Sequence, residues 1–360
     1  MEDIVNITDP NIRLSLNLFL SCGNTSEETY NSVRRSILTR FPDAEVLLYY
    51  MVKKVVADIT DVYAISDDMC INSCHGFTGP FSDLKNCKIC NEPRFDPTEY
   101  ARSGKEIPQK QECSIPLGPQ LQAIHRSKEG AEAILYHDKK TAEVIEAFNN
   151  AQLSDELIFD DVFCGQDYQD LTEKLSLTED DTTVILSIDG AQLYQNKKSD
   201  TWFAMWIVAD YNPNMHFLKK RCLPATIIPG PNKPKLIDSL LFRSIQHLSA
   251  LQRENGGMGL RTWDAKKVKI INSRIVFLFG TADALGLTEL DGHVRHHGTY
   301  GCQLGCEMKG RHKANSGHYC AAHLHPHDVD PADLDQYHPD FDFRSNNVGA
   351  SQETLEKKLQ

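Results

Sequence analysis

The sequence lacks an apolar run of the roughly 18 to 20 residues that a membrane-spanning helix needs, so it predicts no membrane span. Its opening residues, MEDIVNITDP, are acidic and polar, which is not the pattern of a secretory signal peptide. No internal repeat is visible along the 360 residues. This length predicts two or three globular domains, with a hydrophobic core that needs no covalent crosslinks.

The chain also lacks the basic excess of a simple nucleic-acid-binding protein, because its formal net charge at pH 7 is −12. The charge is unevenly distributed, however. Residues 181–290 carry more basic than acidic side chains, whereas the acidic excess lies in residues 1–180. Binding of a polyanionic partner therefore remains possible, because the middle of the chain is basic although its flanks are acidic.

Cysteine, by contrast, is abundant, and its 11 residues are mostly clustered. In a chain without an export signal, closely spaced cysteine pairs indicate metal ligands, with disulfides as the alternative. The spacing Cys70-x3-Cys74 followed by Cys87-x2-Cys90 can wrap four thiolates around one structural zinc ion. His75 could replace one thiolate, although its adjacency to Cys74 makes that awkward. Four free thiols in a small core are the competing interpretation.

A second cluster, GCQLGCEMKGRHKANSGHYCAAHLHPHD over residues 301–328, holds three cysteines and five histidines. Two interpretations are open at this stage: a metal site, or a solvated loop that happens to be rich in histidine.

The middle of the chain has the pattern of a mixed sheet. Apolar, β-branched runs predict strands at TTVILSIDGAQLY, WFAMWIVADY, RCLPATIIPGP and VKIINSRIVFLFGTADALGL. The stretch LIDSLLFRSIQHLSALQRENGG has helical spacing and precedes the last strand. A three-strand meander, a helix and a parallel strand form the opening of a ribonuclease H-like sheet. The predicted fold class is therefore α/β with such a mixed sheet, by analogy of element order.

The predicted domain organisation follows from these patterns, and the segment 92–120, rich in proline and charge, is expected to be an extended linker. The predicted regions are a mostly helical 1–60, a four-cysteine zinc-binding module 61–100, a linker and helical region 101–180, a ribonuclease H-like core 181–290, a Cys/His zinc-binding insertion 291–330 and a tail 331–360.

Two aspartates end apolar runs in this core, Asp189 in VILSIDG and Asp283 in FLFGTADALGL. In a ribonuclease H-like sheet the first and fourth strands are neighbours, so both carboxylates would meet at one end of the sheet. Two close carboxylates repel unless a hard cation such as Mg²⁺ neutralises them. A pair of such ions can activate water or a 3′-hydroxyl for phosphodiester chemistry. The alternative is that each aspartate only caps the turn after its strand.

Several ordered motifs resemble the CACTA-type (En/Spm) transposases, in particular their fungal members. They are DGAQLYQNKKSDTWFAMWIVADYNP, IIPGPNKPKLIDSLLFRSIQHLSAL with GLRTWDA, and TADALGL followed by GTYGCQLGC. The upstream CINSC and DLKNCKICNEPRF also resemble the cysteine pairs that precede the catalytic domain of that family. The resemblance covers about residues 60–325.

The resemblance implies a cut-and-paste transposase with a ribonuclease H-like core, acting on transposon-end DNA in the nucleus with Mg²⁺ or Mn²⁺. By motif, Asp189 matches the first metal-binding acid and Asp283 the second. The family's Cys-x2-His element corresponds to Cys320 and His323, which with Cys302 and Cys306 would bind a second structural zinc ion. His312, His318 or His325 could substitute as ligands. A homo-oligomer is left open.

The family's third acid is expected on a helix well beyond the Cys/His insertion, and the sequence ends at Gln360. Glu353 and Glu356 lie on a predicted helix there, and the sequence favours a solvated helical face over a catalytic carboxylate for both. The chain therefore resembles an incomplete transposase. An inactive, zinc-stabilised remnant that binds DNA or protein, and a zinc-binding regulatory protein with no nucleic-acid role, are the competing hypotheses.

Overall fold

A computed structural model of the chain describes residues 7–23, 25–150, 160–192, 200–291, 297–300, 309–312 and 317–320. These residues form a mixed α/β structure around a six-stranded mixed sheet. No helix in this part of the chain combines the length and the apolar character needed to cross a membrane.

The N-terminal region is a group of three helices with a small core of its own. Asp9 caps the first helix by accepting the backbone N–H of Asn11 at 2.8 Å, and Ser26 caps the second. Tyr30 is fully buried and donates its hydroxyl to the Leu47 carbonyl at 2.9 Å, which fixes the turn before the third helix. The helices are α1 (Pro10–Ser21), α2 (Glu27–Arg40) and α3 (Tyr49–Thr60).

The segment expected to be a linker instead contributes to the core. It contains α4 (Pro97–Ser103), the short strand β2 (Gln111–Ser114) and the start of α5 (Leu117–His125). Strand β2 pairs with both β1 (Ile65–Asp68) and the central strand β5 (Leu223–Ile228). Leu117 and Leu121 are buried in the main hydrophobic cluster. Proline is compatible with this arrangement because Pro97 opens α4 and Pro116 directly precedes α5, where the missing backbone N–H leaves no helical hydrogen bond unmade.

Four strands and one long helix form the centre of the molecule. The meander predicted from the sequence is confirmed, because β3 pairs antiparallel with β4, and β4 with β5. Strand β8 lies parallel to β3 on the other side, which gives the strand order β1-β2-β5-β4-β3-β8. The central elements are β3 (Thr182–Gln192), β4 (Asp200–Val208), the short α9 (Pro213–His216), α10 (Ile237–Gly257) and β8 (Ile275–Ala282).

Each face of the sheet is covered by helices. Helix α10 packs Leu240 and Leu248 against Val184 and Leu186 of β3 in the largest hydrophobic cluster. On the other face, Ile185 of β3 and Ile207 of β4 pack against aromatic side chains that include Phe163. The remaining helices of this region are α6 (Lys128–Ala133), α7 (Tyr136–Asn150) and α8 (Gln166–Leu175).

The last predicted strand of the core is in fact two strands with different partners. Its first part, β7 (Lys269–Ser273), forms a separate hairpin with β6 (Leu260–Asp264), and only its second part, β8, joins the main sheet. The break falls at Arg274, whose guanidinium binds Asp181 at 2.6 Å and the Ser176 carbonyl at 2.9 Å. Beyond β8 come α11 (Ala284–Asp291), β9 (Arg311–His312) and β10 (Tyr319–Cys320).

Candidate metal centre and the carboxylates at the end of the sheet

The four cysteines of the first cluster lie together between β1 and β2. The sulfur atoms of Cys70, Cys74, Cys87 and Cys90 are all within 4.8 Å of one another, and Cys70 and Cys90 are 3.4 Å apart. Four sulfurs bound at about 2.3 Å to a tetrahedral zinc ion would be about 3.8 Å apart. None of the four is disulfide-bonded. The group can therefore hold a metal ion such as zinc, as the spacing predicts.

Two tight turns aim these sulfurs inward. Ser73 and Asn91, one residue before Cys74 and one after Cys90, both adopt left-handed backbone angles, with φ of 56° and 60°. In the second turn the Ile89 N–H lies 3.4 Å from the Cys87 sulfur. Backbone N–H groups directed at sulfur stabilise thiolates, so the turns are suited to an ionised, metal-bound state.

The thiols differ in how easily they ionise. Burial raises the pKa of both Cys70 and Cys74. Burial also opposes ionisation of the more exposed Cys90, but hydrogen bonds from the Glu92 backbone and the Asn72 side chain outweigh it and lower the pKa of Cys90 to about 6. A bound metal ion would ionise the remaining thiols, because thiolate is the form that coordinates it.

His75 braces the centre without acting as a ligand. Its Nε2 accepts the Lys88 N–H at 3.2 Å, so Nδ1 carries the ring proton and donates it to the Gly76 carbonyl at 2.7 Å. The ring is fully buried and contacts Phe77 and Phe81. Because both nitrogens are used by the backbone, His75 ties the two cysteine turns together, and the four-thiolate set is favoured over one that includes His75.

The cysteine module, defined here as residues 69–95, is fastened to the start of α10. Leu236 donates its N–H to the Cys74 carbonyl at 2.9 Å, and Gly76 donates its N–H to the Ser239 hydroxyl at 3.0 Å. A Cβ atom at Gly76 would lie 2.9 Å from the Ser239 carbonyl oxygen, so glycine is needed for this approach. The metal centre is therefore part of the same folded body as the sheet.

The two aspartates predicted to converge lie on neighbouring parallel strands. Ile188 of β3 and Ala282 of β8 are paired in register. Asp189 directly follows Ile188, and Asp283 directly follows Ala282. Both side chains are exposed at that end of the sheet. The adjacency of these two strands, predicted from the element order, is confirmed.

Asp283 also has the capping role that formed the alternative interpretation. Its Oδ1 accepts the Gly286 N–H at 2.6 Å, and its carbonyl accepts the Leu287 N–H, so it caps the N-terminus of α11. Asp189 accepts a hydrogen bond from the adjacent Gly190 N–H at 2.7 Å. These contacts orient the two carboxylates. Capping also accounts for Asp283, whereas Asp189 lies inside β3, paired with Phe203, rather than in a turn after the strand.

Most of the second predicted zinc site falls outside the described residues. Cys302, Cys306 and His323 lie there, as do His325 and the glutamates Glu353 and Glu356. Cys320 lies in β10, where it pairs with Arg311 of β9. His318 is exposed and its ring stacks on His297 at 4.6 Å between centroids. The second site therefore stays a prediction.

Sequence reasoning missed a buried aspartate at the opposite end of the sheet. Asp210 follows β4, is 1% exposed, and lies 3.3 Å from Nδ1 of His137. Both its oxygens accept the Thr183 N–H, at 3.1 and 3.0 Å. Burial raises the pKa of Asp210 to about 6, although the charge of His137 opposes this shift. An aspartate directly after an apolar strand was the available signal, the same one that singled out Asp189.

Among the described residues, the four cysteines are the only group of three or more side chains placed to hold a metal ion together. The carboxylates of Asp189 and Asp283 thus have no third acidic ligand within this part of the chain.

A scan of protein-family models finds no family that matches this chain, and a search of curated proteins finds no related sequence.

Proposed function

We propose that this chain is a transposase-derived protein of the CACTA type with a ribonuclease H-like core. Its activity would be cleavage and strand transfer of DNA phosphodiesters with Mg²⁺ or Mn²⁺. Transposon-end DNA would be the substrate, and the nucleus the place of action. The proposal combines the motif resemblance with the geometry at one end of the central sheet.

The observation that carries the proposal is the register of β3 and β8. Ile188 of β3 pairs with Ala282 of the parallel strand β8, so Asp189 and Asp283, the residues that follow them, are at equivalent positions. Both aspartates are exposed to solvent. The strand order β5-β4-β3-β8, with a helical connection through α10, is the order expected of a ribonuclease H-like sheet. Acidic side chains at such a position are suited to binding a hard divalent cation.

In this proposal Asp189 and Asp283 hold the cation through their carboxylate oxygens. A bound pair of divalent ions supplies the activation of water or a 3′-hydroxyl and the stabilisation of the leaving oxygen. The cap contact from Gly286 to Asp283 orients that carboxylate and fixes it to α11. The cysteine module contributes by anchoring α10 and has no chemical role, because a closed four-thiolate site offers no open position.

One observation favours a second candidate, an inactive transposase remnant that binds DNA or a protein. No third acidic ligand accompanies Asp189 and Asp283 among the described residues. Two carboxylates alone would hold one of two metal ions poorly, and the chemistry would fail while the folded scaffold remained.

A Mn²⁺ titration of the zinc-loaded protein tests the carboxylate pair. Asp189→Asn and Asp283→Asn remove the two charges while keeping the side-chain size. Each is expected to weaken Mn²⁺ binding by roughly tenfold or more and to abolish Mn²⁺-dependent nicking of supercoiled plasmid DNA. Binding is measured by the electron paramagnetic resonance signal of free Mn²⁺.

Asp43→Asn, an exposed carboxylate in the turn after α2, serves as the control and should leave both measurements unchanged. Equal Mn²⁺ binding by the parent and both sheet-end variants would refute the metal-site assignment. Mn²⁺ binding that depends on both aspartates, without any nicking by the parent, would select the inactive remnant.

A further inference from the structure

Lys233 occupies a defined position beside the exposed end of the sheet. It lies between β5 and α10, and its ammonium nitrogen is 2.8 Å from Oε1 of Glu289 on α11. The same nitrogen lies 5.4 Å from the centroid of the Trp202 indole ring. The Lys233 side chain is 34% exposed and that of Glu289 is 23% exposed, so the contact is reachable from solvent.

The contacts of Lys233 lead to backbone segments next to both aspartates, although Trp202 faces the α10 side of the sheet, opposite the Asp189 side chain. Trp202 pairs with Gly190, the residue after Asp189, and a Cβ atom at Gly190 would lie 3.1 Å from the indole Cε2. Glu289 lies on the helix that Asp283 caps. A lysine ammonium group is therefore held at the same end of the sheet as the two carboxylates.

We propose that Lys233 is a phosphate-positioning residue for the DNA backbone, and that Glu289 holds its ammonium group in place while DNA is absent. This inference rests on the proposed function, because it names a contact to the same substrate at the same end of the sheet. A phosphate oxygen would replace Glu289 as the partner of Lys233.

The physical basis is that a partly exposed lysine–glutamate pair is weak and exchangeable. A DNA phosphate is a permanent anion, and its contact with lysine also releases counterions into solution. The indole face of Trp202 attracts the ammonium group whichever anion it faces, so the lysine stays in position during the exchange. Glu289 therefore competes with phosphate, and the two partners of the ion pair have opposite effects on DNA binding.

The test measures binding of fluorescently labelled duplex DNA by anisotropy over a series of KCl concentrations, with Ca²⁺ replacing Mg²⁺. Lys233→Gln is expected to weaken binding several-fold and to reduce the slope of log K against log salt by about 0.9. Glu289→Gln is expected to strengthen binding about two- to fivefold, because it removes the competing charge. Lys233→Arg should keep the parent slope.

The control is Lys140→Gln. Lys140 lies on α7, away from this end of the sheet, and its ammonium nitrogen is 2.8 Å from Oδ1 of Asp160. Loss of this ion pair should leave the slope unchanged. Equal weakening by Lys233→Gln and Glu289→Gln would show a purely structural ion pair and overturn the inference. An unchanged salt slope in Lys233→Gln would also overturn the inference about Lys233. The proposed function would still stand in that case if the parent protein nicks DNA. A parent chain that binds no DNA overturns both.

Discussion

Glu112 shows how strongly a single buried side chain can depend on its neighbours. It lies on β2 directly opposite Asp67 of β1, whose carboxylate pairs with Arg243 of α10. Glu112 is 1% exposed, its Oε2 accepts the Ser114 hydroxyl at 3.3 Å, and its Oε1 has no hydrogen-bond partner within the described structure. Burial, and then the negative charge of Asp67, raise the pKa of Glu112 to about 8.

The raised pKa predicts a stability that falls as the pH rises. Below about pH 4.5, Glu112 is protonated in both the folded and the unfolded chain, so it adds no pH dependence. Between about 4.5 and 8 only the unfolded chain loses the proton, and the free energy of unfolding decreases. Glu112→Gln, a neutral analogue of the protonated acid, should remove this decrease and be more stable than the parent by about 1–3 kcal/mol at pH 8.

Urea unfolding followed by circular dichroism at pH 5 and at pH 8 measures this difference. Glu146→Gln, on the exposed side of α7, is the matched control and should follow the parent at both pH values. A stability difference between Glu112→Gln and the parent that is the same at pH 5 and pH 8 would contradict the assignment.

Among the elements, α10 links the parts of the molecule that the sequence suggests are separate. Its apolar face packs on β3 and β5, and its first turn receives the cysteine module through Ser239. Thr78 donates its hydroxyl to the Ser239 carbonyl, and Gly76 donates its N–H to the Ser239 hydroxyl. One residue of α10 thus satisfies two donors from the module.

Ser239→Ala is expected to destabilise the folded protein by about 1–3 kcal/mol, because the buried N–H of Gly76 would lose its acceptor. The change is measured as a lower urea midpoint with an unchanged slope. Ser36→Ala removes a hydroxyl that bonds only the Ser32 carbonyl within α2, and it should shift the midpoint far less. An equal shift for the two variants would show that the contact with the module contributes no stability.

At the scale of the whole molecule, the cysteine module is an insertion at the edge of the main sheet. It leaves from β1 and returns near β2, and these two strands continue the sheet beyond β5. Lys110, just before β2, donates to the Ser73 hydroxyl at 2.8 Å, and burial lowers its pKa. Metal binding at the four thiols is therefore expected to stabilise the sheet edge as well as the module.

Removal of zinc from the zinc-loaded full chain with a chelator should expose this coupling. Amides of the paired strands β1 and β2 and of the first turn of α10 are expected to exchange hydrogen roughly 10- to 100-fold faster. Amides of α1 to α3, which pack around their own core, should be unaffected. Hydrogen exchange measured by mass spectrometry reports both regions in one experiment.

Cys74→Ser should reproduce the faster exchange without a chelator, and Cys22→Ser, outside the cluster, should not. Unchanged exchange in the paired strands β1 and β2 after verified zinc loss would show that the module and the sheet are independent. Loss of protection throughout the chain would instead show that the metal supports the entire fold.

Some features of the molecule were predictable because their signals are local in sequence. The spacing of Cys70, Cys74, Cys87 and Cys90 predicts a compact group of ligands, and the apolar runs before Asp189 and Asp283 predict two strands, which are β3 and β8. Asp283 directly follows β8, whereas β3 continues beyond Asp189 to Gln192. The polar residues Asn272, Ser273 and Arg274 interrupt the apolar run between β7 and β8, but three polar residues do not by themselves distinguish a break from an exposed part of one strand. The contacts of Arg274 with Asp181 set the break.

The sequence by itself determined that four thiols group together in the first cysteine cluster, and it determined the meander of β3, β4 and β5. These follow from spacing and periodicity, which act over a few residues. Only the tertiary structure decided that β1 and β2 join the central sheet, that Ser239 anchors the cysteine module, and that Glu289 faces Lys233. Such pairings join residues distant in the chain, and they are selected by how all the elements pack together rather than by any local pattern.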